Sequence, residues 1–304
     1  GLIQENAMLE GASVALATGE SHPSFGRHVR KAGFDFAKGA TLLAQGTRIG
    51  PAQIALAKAA GHDTVRHYAA PRVAILESGD ELSPIANPNM LPSGRIPATN
   101  GAMIEAMLAP VLGARANRIT QIGPVADDPA RLDAALATAQ ECDILITSGG
   151  ASVGDHDLIQ PALKRWGANL AFWKVASKPG KPLMVATRET DGHRQVILGL
   201  PGNPVSSYVT AFLFALPLVR AAMGSHDPLP KARLQRSAED LPATGSRREF
   251  LRSVADGESV RLAGSQDSSA LMALASSNSL IDRPANSDPV RAGERVPVHN
   301  LQNG

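Results

Sequence analysis

From Val73 onward, short runs of aliphatic residues alternate with stretches whose apolar positions recur at helical spacing. Strands hidden on both faces read as continuous apolar runs, so this alternation predicts an α/β fold, a three-layer domain around a mostly parallel sheet. Strands are expected at Val73–Glu77, Arg118–Ile122, Asp143–Thr147, Phe172–Ala176, Leu183–Ala186 and Val196–Leu200. Helices are expected near Thr99–Leu112, Asp128–Gln140 and Leu158–Trp166, with a long one over Val205–Met223. Upstream, Phe34 to Val65 offers short hydrophobic pieces separated by Gly39, Gly46, Gly50 and Gly61, with a helix over Pro51–Ala60 opened by its proline. Downstream, Pro228 and Pro230 stiffen a linker, and alternating runs such as Glu249–Val254, Ser259–Leu262 and Arg295–Val298 suggest a small β domain. The expected organisation is a remnant of an N-terminal mixed or β domain over 1–70, an α/β domain over 71–224 and a C-terminal β domain over 225–304.

Composition narrows the partners. A chain of 304 residues, 43% hydrophobic, can build two or three cores. Thirty basic residues against 28 acidic ones give a net charge of +2, too balanced for the broad positive field that binds polyanions, which argues against nucleic acid. A single cysteine, Cys142, excludes an internal disulfide. No apolar run reads as a membrane span or a signal-peptide core, so a soluble, cytoplasmic chain is expected.

Four segments at expected strand ends carry candidate chemistry. The first runs from Ile144 to Asp157, a buried strand emptying into a glycine-rich loop. Gly149, Gly150 and Gly154 permit tight turns and close approach, and the hydroxyls of Ser148 and Ser152 could hold an anion. A purely structural turn explains such a loop equally well, but Asp155 and Asp157 beside an anion site call for a divalent cation between them. The second, Leu198–Val205, places Asn203 at a helix N-cap and Pro204 at the first helical position, with helix-start amides as further donors. A cap alone needs less rigidity than Pro201, Gly202, Asn203 and Pro204 together provide. In the third, Lys174, Lys178 and Lys181 fall on and after the strand begun at Phe172. Even spacing would put Lys174 and Lys178 on the same side, suited to a phosphate or oxyanion, though surface lysines usually serve only solvation. The fourth, Glu77–Leu82, offers Asp80 and Glu81 to a metal or a heterocycle, or is an ordinary acidic turn.

Taken together, these segments resemble the molybdopterin molybdenumtransferase family, which spans bacterial enzymes and the C-terminal part of the eukaryotic scaffold gephyrin. The similarity runs from about Arg30 to Val298 and is strongest at Ser148–Asp157, Lys178–Pro182 and Gly199–Ser206. It implies a molybdopterin-binding α/β domain and insertion of molybdate into adenylylated molybdopterin with release of AMP, assisted by Mg²⁺. It also implies a homodimer and possible contact with molybdopterin adenylyltransferase. Carried over by motif, Asp35, Glu81, Asp157 and Asp127 or Asp128 are acidic active-site positions, Glu81 and Asp157 the metal ligands, and Ser268 a further cofactor-binding position. By the same carry-over Lys174 and Lys178 hold molybdate, and Pro201 and Pro204 frame the binding turn. Phe34 and Ala98 depart from the pattern, which has acidic residues there, and Asn100 keeps it. The family's N-terminal region, with its Met-Asp-Gly-Tyr-Ala segment, is expected to be missing, leaving a fragment or a shortened relative. Two other functions fit the same α/β domain: molybdopterin adenylyltransferase, and a non-catalytic molybdopterin carrier or scaffold.

Overall fold

The computed structural model describes residues 2–85, 87, 89–113, 118–149, 158–190 and 192–301. The chain divides into two compact units, Gly1–Arg66 and His67–Gly304.

In the first unit a hairpin of β1 (Ala7–Glu10) and β2 (Ser13–Leu16) turns at Gly11, whose φ of 64° few other residues adopt readily. Nothing in the hydrophobic pattern had pointed to it, because four-residue strands carry too little alternation. Helix α1 (Pro51–Ala59) forms as expected, with Pro51 in its first turn and the Gly50 amide donating to Gln53 Oε1 at 3.1 Å.

The second unit begins with β3 (Val73–Ser78), the two-residue strands β4 (Leu82–Ser83) and β5 (Ile96–Pro97), and α2 (Asn100–Leu112). Next come β6 (Ile119–Val125), α3 (Pro129–Thr138), β7 (Ile144–Ser148), α4 (Ile159–Arg165), β8 (Asn169–Trp173) and β9 (Ser177–Lys178). Then β10 (Met184–Thr190) and β11 (His193–Leu200) lead into α5 (Pro204–Thr210), which continues through a π turn at Ala211–Ala215 into α6 (Leu216–Ala222). The main sheet has the order β6-β3-β7-β11-β10-β8. Its first four strands run parallel, and β10 is antiparallel to both neighbours because a hairpin joins it to β11.

Alternation along the strands separates two cores. Val73, Ile75, Ile144 and Ile146 pack on one face with α2, α5 and α6. Ala74, Leu76 and Leu145 pack on the other with Leu132, Leu136, Ile159 and Leu163 of α3 and α4. The expected three layers result. By length and a mean hydropathy of 1.5, the helix over Pro204–Ala222 meets the measure of a membrane span, contrary to the sequence expectation. Its composition has another cause: it packs against the sheet and against Phe250, Leu280 and Leu301 of the C-terminal region.

That region contains β12 (Ala232–Ser237), β13 (Arg248–Ala255), β14 (Ser259–Leu262), the short α7 (Leu271–Ala275), β15 (Ser279–Arg283) and β16 (Arg295–Asn300). The order β14-β12-β16-β15-β13 closes on itself because β13 also pairs with β14, giving a barrel around Val260, Ile281, Val296 and Val298. An extra strand, β9, adds to β13 in parallel.

One expected strand moves. Phe172–Ala176 was to be extended, but β8 runs over Asn169–Trp173 and the chain bends at Lys174, whose φ is 78°. A lysine there is disfavoured by about 1–2 kcal/mol relative to a right-handed conformation. Lys174 and Lys178 therefore do not share a strand, and the even-spacing argument fails.

Candidate functional site

Four parallel strands end on one edge of the sheet, and the loops beyond β3, β6, β7 and β11 meet there. Asn100 joins three of the segments. Its side-chain amide donates to Ser148 Oγ at 2.8 Å and to the Gly202 carbonyl at 2.7 Å, while its backbone N–H donates to Glu77 Oε1 at 3.0 Å. Glu77 caps α2 from outside that helix, since the N-cap Thr99 makes no side-chain cap. Burial pushes the Glu77 carboxyl above its ordinary range, against the amide hydrogen bonds from Gly101 and Asn100. The loops also touch directly. A Cβ on Gly149, whose φ is 97°, would overlap the Ser78 carbonyl, and one on Gly202 would lie 3.4 Å from the Gly149 Cα. Around this contact the buried Ser78 Oγ, Asn100 Oδ1 and Thr147 Oγ1 lack hydrogen-bond partners among the described residues. Buried oxygens of this kind are normally satisfied by water or a ligand.

Acidic side chains gather beside the loops. The Asp127 amide donates to Asp80 Oδ1 at 3.1 Å, and the Asp127 carboxyl is raised first by burial and then by the negative charges of Asp80 and Glu81. The Glu81 carboxylate folds back over Gly79, where a Cβ would overlap it. Asp128, by contrast, caps α3 by accepting from Arg131 N at 2.9 Å, so Asp127 is the member of the pair that faces the other carboxylates. Among the described residues no three His, Cys, Asp or Glu side chains converge on a metal position. Gly150, Ser152, Gly154, Asp155 and Asp157 lie outside the described residues.

At the start of α5 the expectation of free amides is overturned. Pro204 has no N–H, the Val205 and Ser206 amides donate to Asn203 Oδ1 at 3.2 and 3.4 Å, and the Ser207 amide donates to the Asn203 carbonyl at 2.8 Å. Asn203 is the cap, as expected, and it uses the donors that an anion would need.

Positive charge then has to come from the lysine segment, which packs nearby. A Cβ on Gly180, whose φ is 98°, would overlap the Thr210 methyl of α5, and Ser177 Oγ donates to the Gly180 carbonyl at 3.2 Å. Lys174 and Lys181 are exposed, with Lys174 Nζ 4.2 Å above the Trp173 ring. Lys178 Nζ pairs with Glu249 Oε1 at 3.1 Å.

Two further expected site residues belong to other segments of the chain. Asp35 is exposed in the first unit. Ser268 is exposed in the turn before α7, a turn held to β13 by the buried Arg252, whose Nη2 donates to the Ser265 and Asp267 carbonyls at 2.8 and 2.9 Å. Sequence reasoning had passed over Glu77, Asn100 and Arg252 as ligands of neighbouring loops. A separate cavity of about 340 Å³, bordered by Arg220, Leu229, Lys231 and Arg233, lies at the far end of α6.

Comparison with known proteins follows the same divisions. Residues 74–221 match the family described as probable molybdopterin binding domain, and residues 235–301 match the MoeA C-terminal region (domain IV). Residues 3–61 match the MoeA N-terminal region (domain I and II), so part of that region is present, while the Met-Asp-Gly-Tyr-Ala segment does not occur in the sequence. A molybdopterin molybdenumtransferase of Nostoc sp. is 32% identical over 312 residues, covering 99% of this chain and 68% of that protein. Molybdopterin molybdenumtransferase 2 of Mycobacterium tuberculosis is 33% identical over 284 residues, 91% of this chain and 68% of the relative. The Haemophilus influenzae relative is 34% identical over 203 residues, 66% of this chain but 48% of its own length. Among solved structures, a molybdopterin biosynthesis moeA protein from Pyrococcus matches with a TM-score of 0.72 and 26% identity, over 97% of this chain and 70% of the other.

Proposed function

Because the chain belongs to the molybdopterin molybdenumtransferase family, we propose that it acts in molybdenum cofactor biosynthesis, inserting molybdate into adenylylated molybdopterin with release of AMP. The matches on both flanks of the α/β domain favour this over molybdopterin adenylyltransferase. The observation that carries the site is the meeting of the Ser148 and Gly202 loops at Asn100, on the same sheet edge as Asp80, Glu81 and Asp127.

In this reading the pterin adenylate lies across the joined loops, whose close contact with each other depends on the glycines at 149 and 202. Buried acceptors such as Asn100 Oδ1 would receive hydrogen bonds from the heterocycle. The carboxylates suit Mg²⁺, since a hard cation prefers oxygen ligands and the Asp127 carboxyl, raised mainly by burial, also feels the charges of Asp80 and Glu81. Bound there, the cation would supply charge neutralisation for the phosphate. Molybdate, a dianion, belongs with Lys178 and its neighbouring lysines, because the amides of α5 are already engaged.

Replacing Glu81 with Ala should abolish Mg²⁺-dependent AMP release while leaving the thermal melt unchanged, because the side chain is exposed. Asp157→Ala should do the same to turnover. Full AMP release by both variants would remove the metal from this edge.

A further inference from the structure

Lys178 reaches the barrel through backbone pairing. Strand β9 lies beside β13 in parallel, with Arg248 opposite Ser177 and Glu249 opposite Lys178, and the Arg248 amide donates to the Ala176 carbonyl at 2.9 Å. Residues opposite each other in adjacent strands project to the same side, which brings the Glu249 carboxylate to the Lys178 ammonium at 3.1 Å. The two ends of the pair differ in exposure. Glu249's side chain is 17% exposed and Lys178's is 51% exposed, so the carboxylate sits within the protein and the ammonium at its surface. The adjacent Arg248 is directed to Asp282 instead, its Nε and Nη2 donating to that carboxylate at 2.7 and 2.6 Å.

We propose that Glu249 is an internal counter-ion for Lys178 that weakens the site for oxyanions, so that the C-terminal barrel sets how much molybdate the α/β domain requires. This rests on the reading of Lys178 as an oxyanion ligand. An ammonium has three donors and can hold both a carboxylate and an oxyanion, but a dianion brought to Lys178 also meets the repulsion of Glu249. Removing that negative charge while keeping the side chain's shape strengthens binding. A carboxylate that served only to support the strand would do the opposite when removed.

The test compares variants by the molybdate concentration giving half-maximal turnover, and by direct calorimetric titration with molybdate alone. Lys178→Ala should raise that concentration. Glu249→Gln should lower it about two- to five-fold, the range of a partly exposed ion pair, with a gain that shrinks as ionic strength rises. In the double variant Lys178→Ala/Glu249→Gln the gain should fall below that of Glu249→Gln alone. Glu249→Asp, which keeps the charge, should stay near the parent chain and serves as the reference for folding. If Lys178→Ala leaves the molybdate dependence unchanged, the oxyanion reading of that lysine fails and the counter-ion fails with it. If Lys178→Ala weakens the dependence but Glu249→Gln leaves it unchanged or weakens it too, only the counter-ion is overturned. Should Glu249→Gln not fold, Glu249→Asp binding molybdate several-fold more weakly than the parent would overturn the proposal, because the charge is retained and only strand support is altered.

Discussion

Both hydrogens of the Asn100 side-chain amide face acceptors on neighbouring loops, Ser148 Oγ and the Gly202 carbonyl. An aspartate of the same shape would set a carboxylate oxygen against that carbonyl. Asn100→Asp should therefore cost about 2–4 kcal/mol of stability, more than Asn100→Ala, which removes the donors without adding repulsion. Urea unfolding of both variants, read beside KM for the pterin adenylate, checks the order; an alanine variant as unstable as the aspartate one would mean that loss of the donors carries the whole cost and the added carboxylate none. The sequence marked Asn100 only as a surviving motif position, because its partners lie 48 and 102 residues away. Glu77 was hidden for a related reason: it closes a strand whose every residue is buried, and its carboxylate serves a helix of another segment. Asp127 and Asp128 are adjacent and chemically alike, and only the chain direction at the start of α3 decides which one caps and which one faces Asp80.

At the scale of elements, hydrophobic spacing located the parallel strands and main helices well, since continuous burial on two faces leaves a strong pattern. It failed where backbone conformation changes without a change in polarity, as at Lys174. The turn beyond it depends on a fit that no pattern carries. Gly180 has a φ of 98° and abuts Thr210, whose hydroxyl donates to the Ser206 carbonyl at 2.7 Å and whose methyl is thereby fixed toward the turn. Gly180→Ala should cost about 2–4 kcal/mol, combining left-handed strain with overpacking. Adding Thr210→Ser removes the methyl and keeps the hydroxyl, so the double variant should recover the packing part and retain the strain. Thermal melts of the single and double variants decide it: no recovery in the double would place the whole cost in the backbone.

For the whole molecule, the sequence separated the α/β and β regions by their punctuation at Pro228 and Pro230, yet it could not show that they are sewn together. Barrel closure depends on β13 pairing with both β15 and β14, and the join to the α/β region on its pairing with β9, matters of register that composition does not record. Next to the β9 pairing, Asp282 lies in the barrel with its side chain 5% exposed, accepting from Arg248 and from His299 Nε2 at 3.3 Å. His299 in turn packs edge-on to Phe212 of the π turn, at a centroid distance of 6.3 Å. Burial alone would raise the Asp282 carboxyl, but the hydrogen bonds from His299 and Arg248 outweigh it and the net shift is downward. A carboxyl whose folded pKa lies below its unfolded value, about 3.9, stabilises the fold above that value and loses the contribution as pH falls through the folded pKa. Asp282→Asn should accordingly lose about 1.5–3 kcal/mol at pH 7, the worth of charge-assisted hydrogen bonds, and the difference from the parent chain should narrow as the pH is taken below that carboxylate range. The chain's two tryptophans, Trp166 and Trp173, both lie in the 67–304 unit, so their fluorescence during urea unfolding reports on it directly. A difference that stays constant down to pH 3 would show that Asp282 holds the barrel by shape and neutral hydrogen bonding, with its charge making no net contribution.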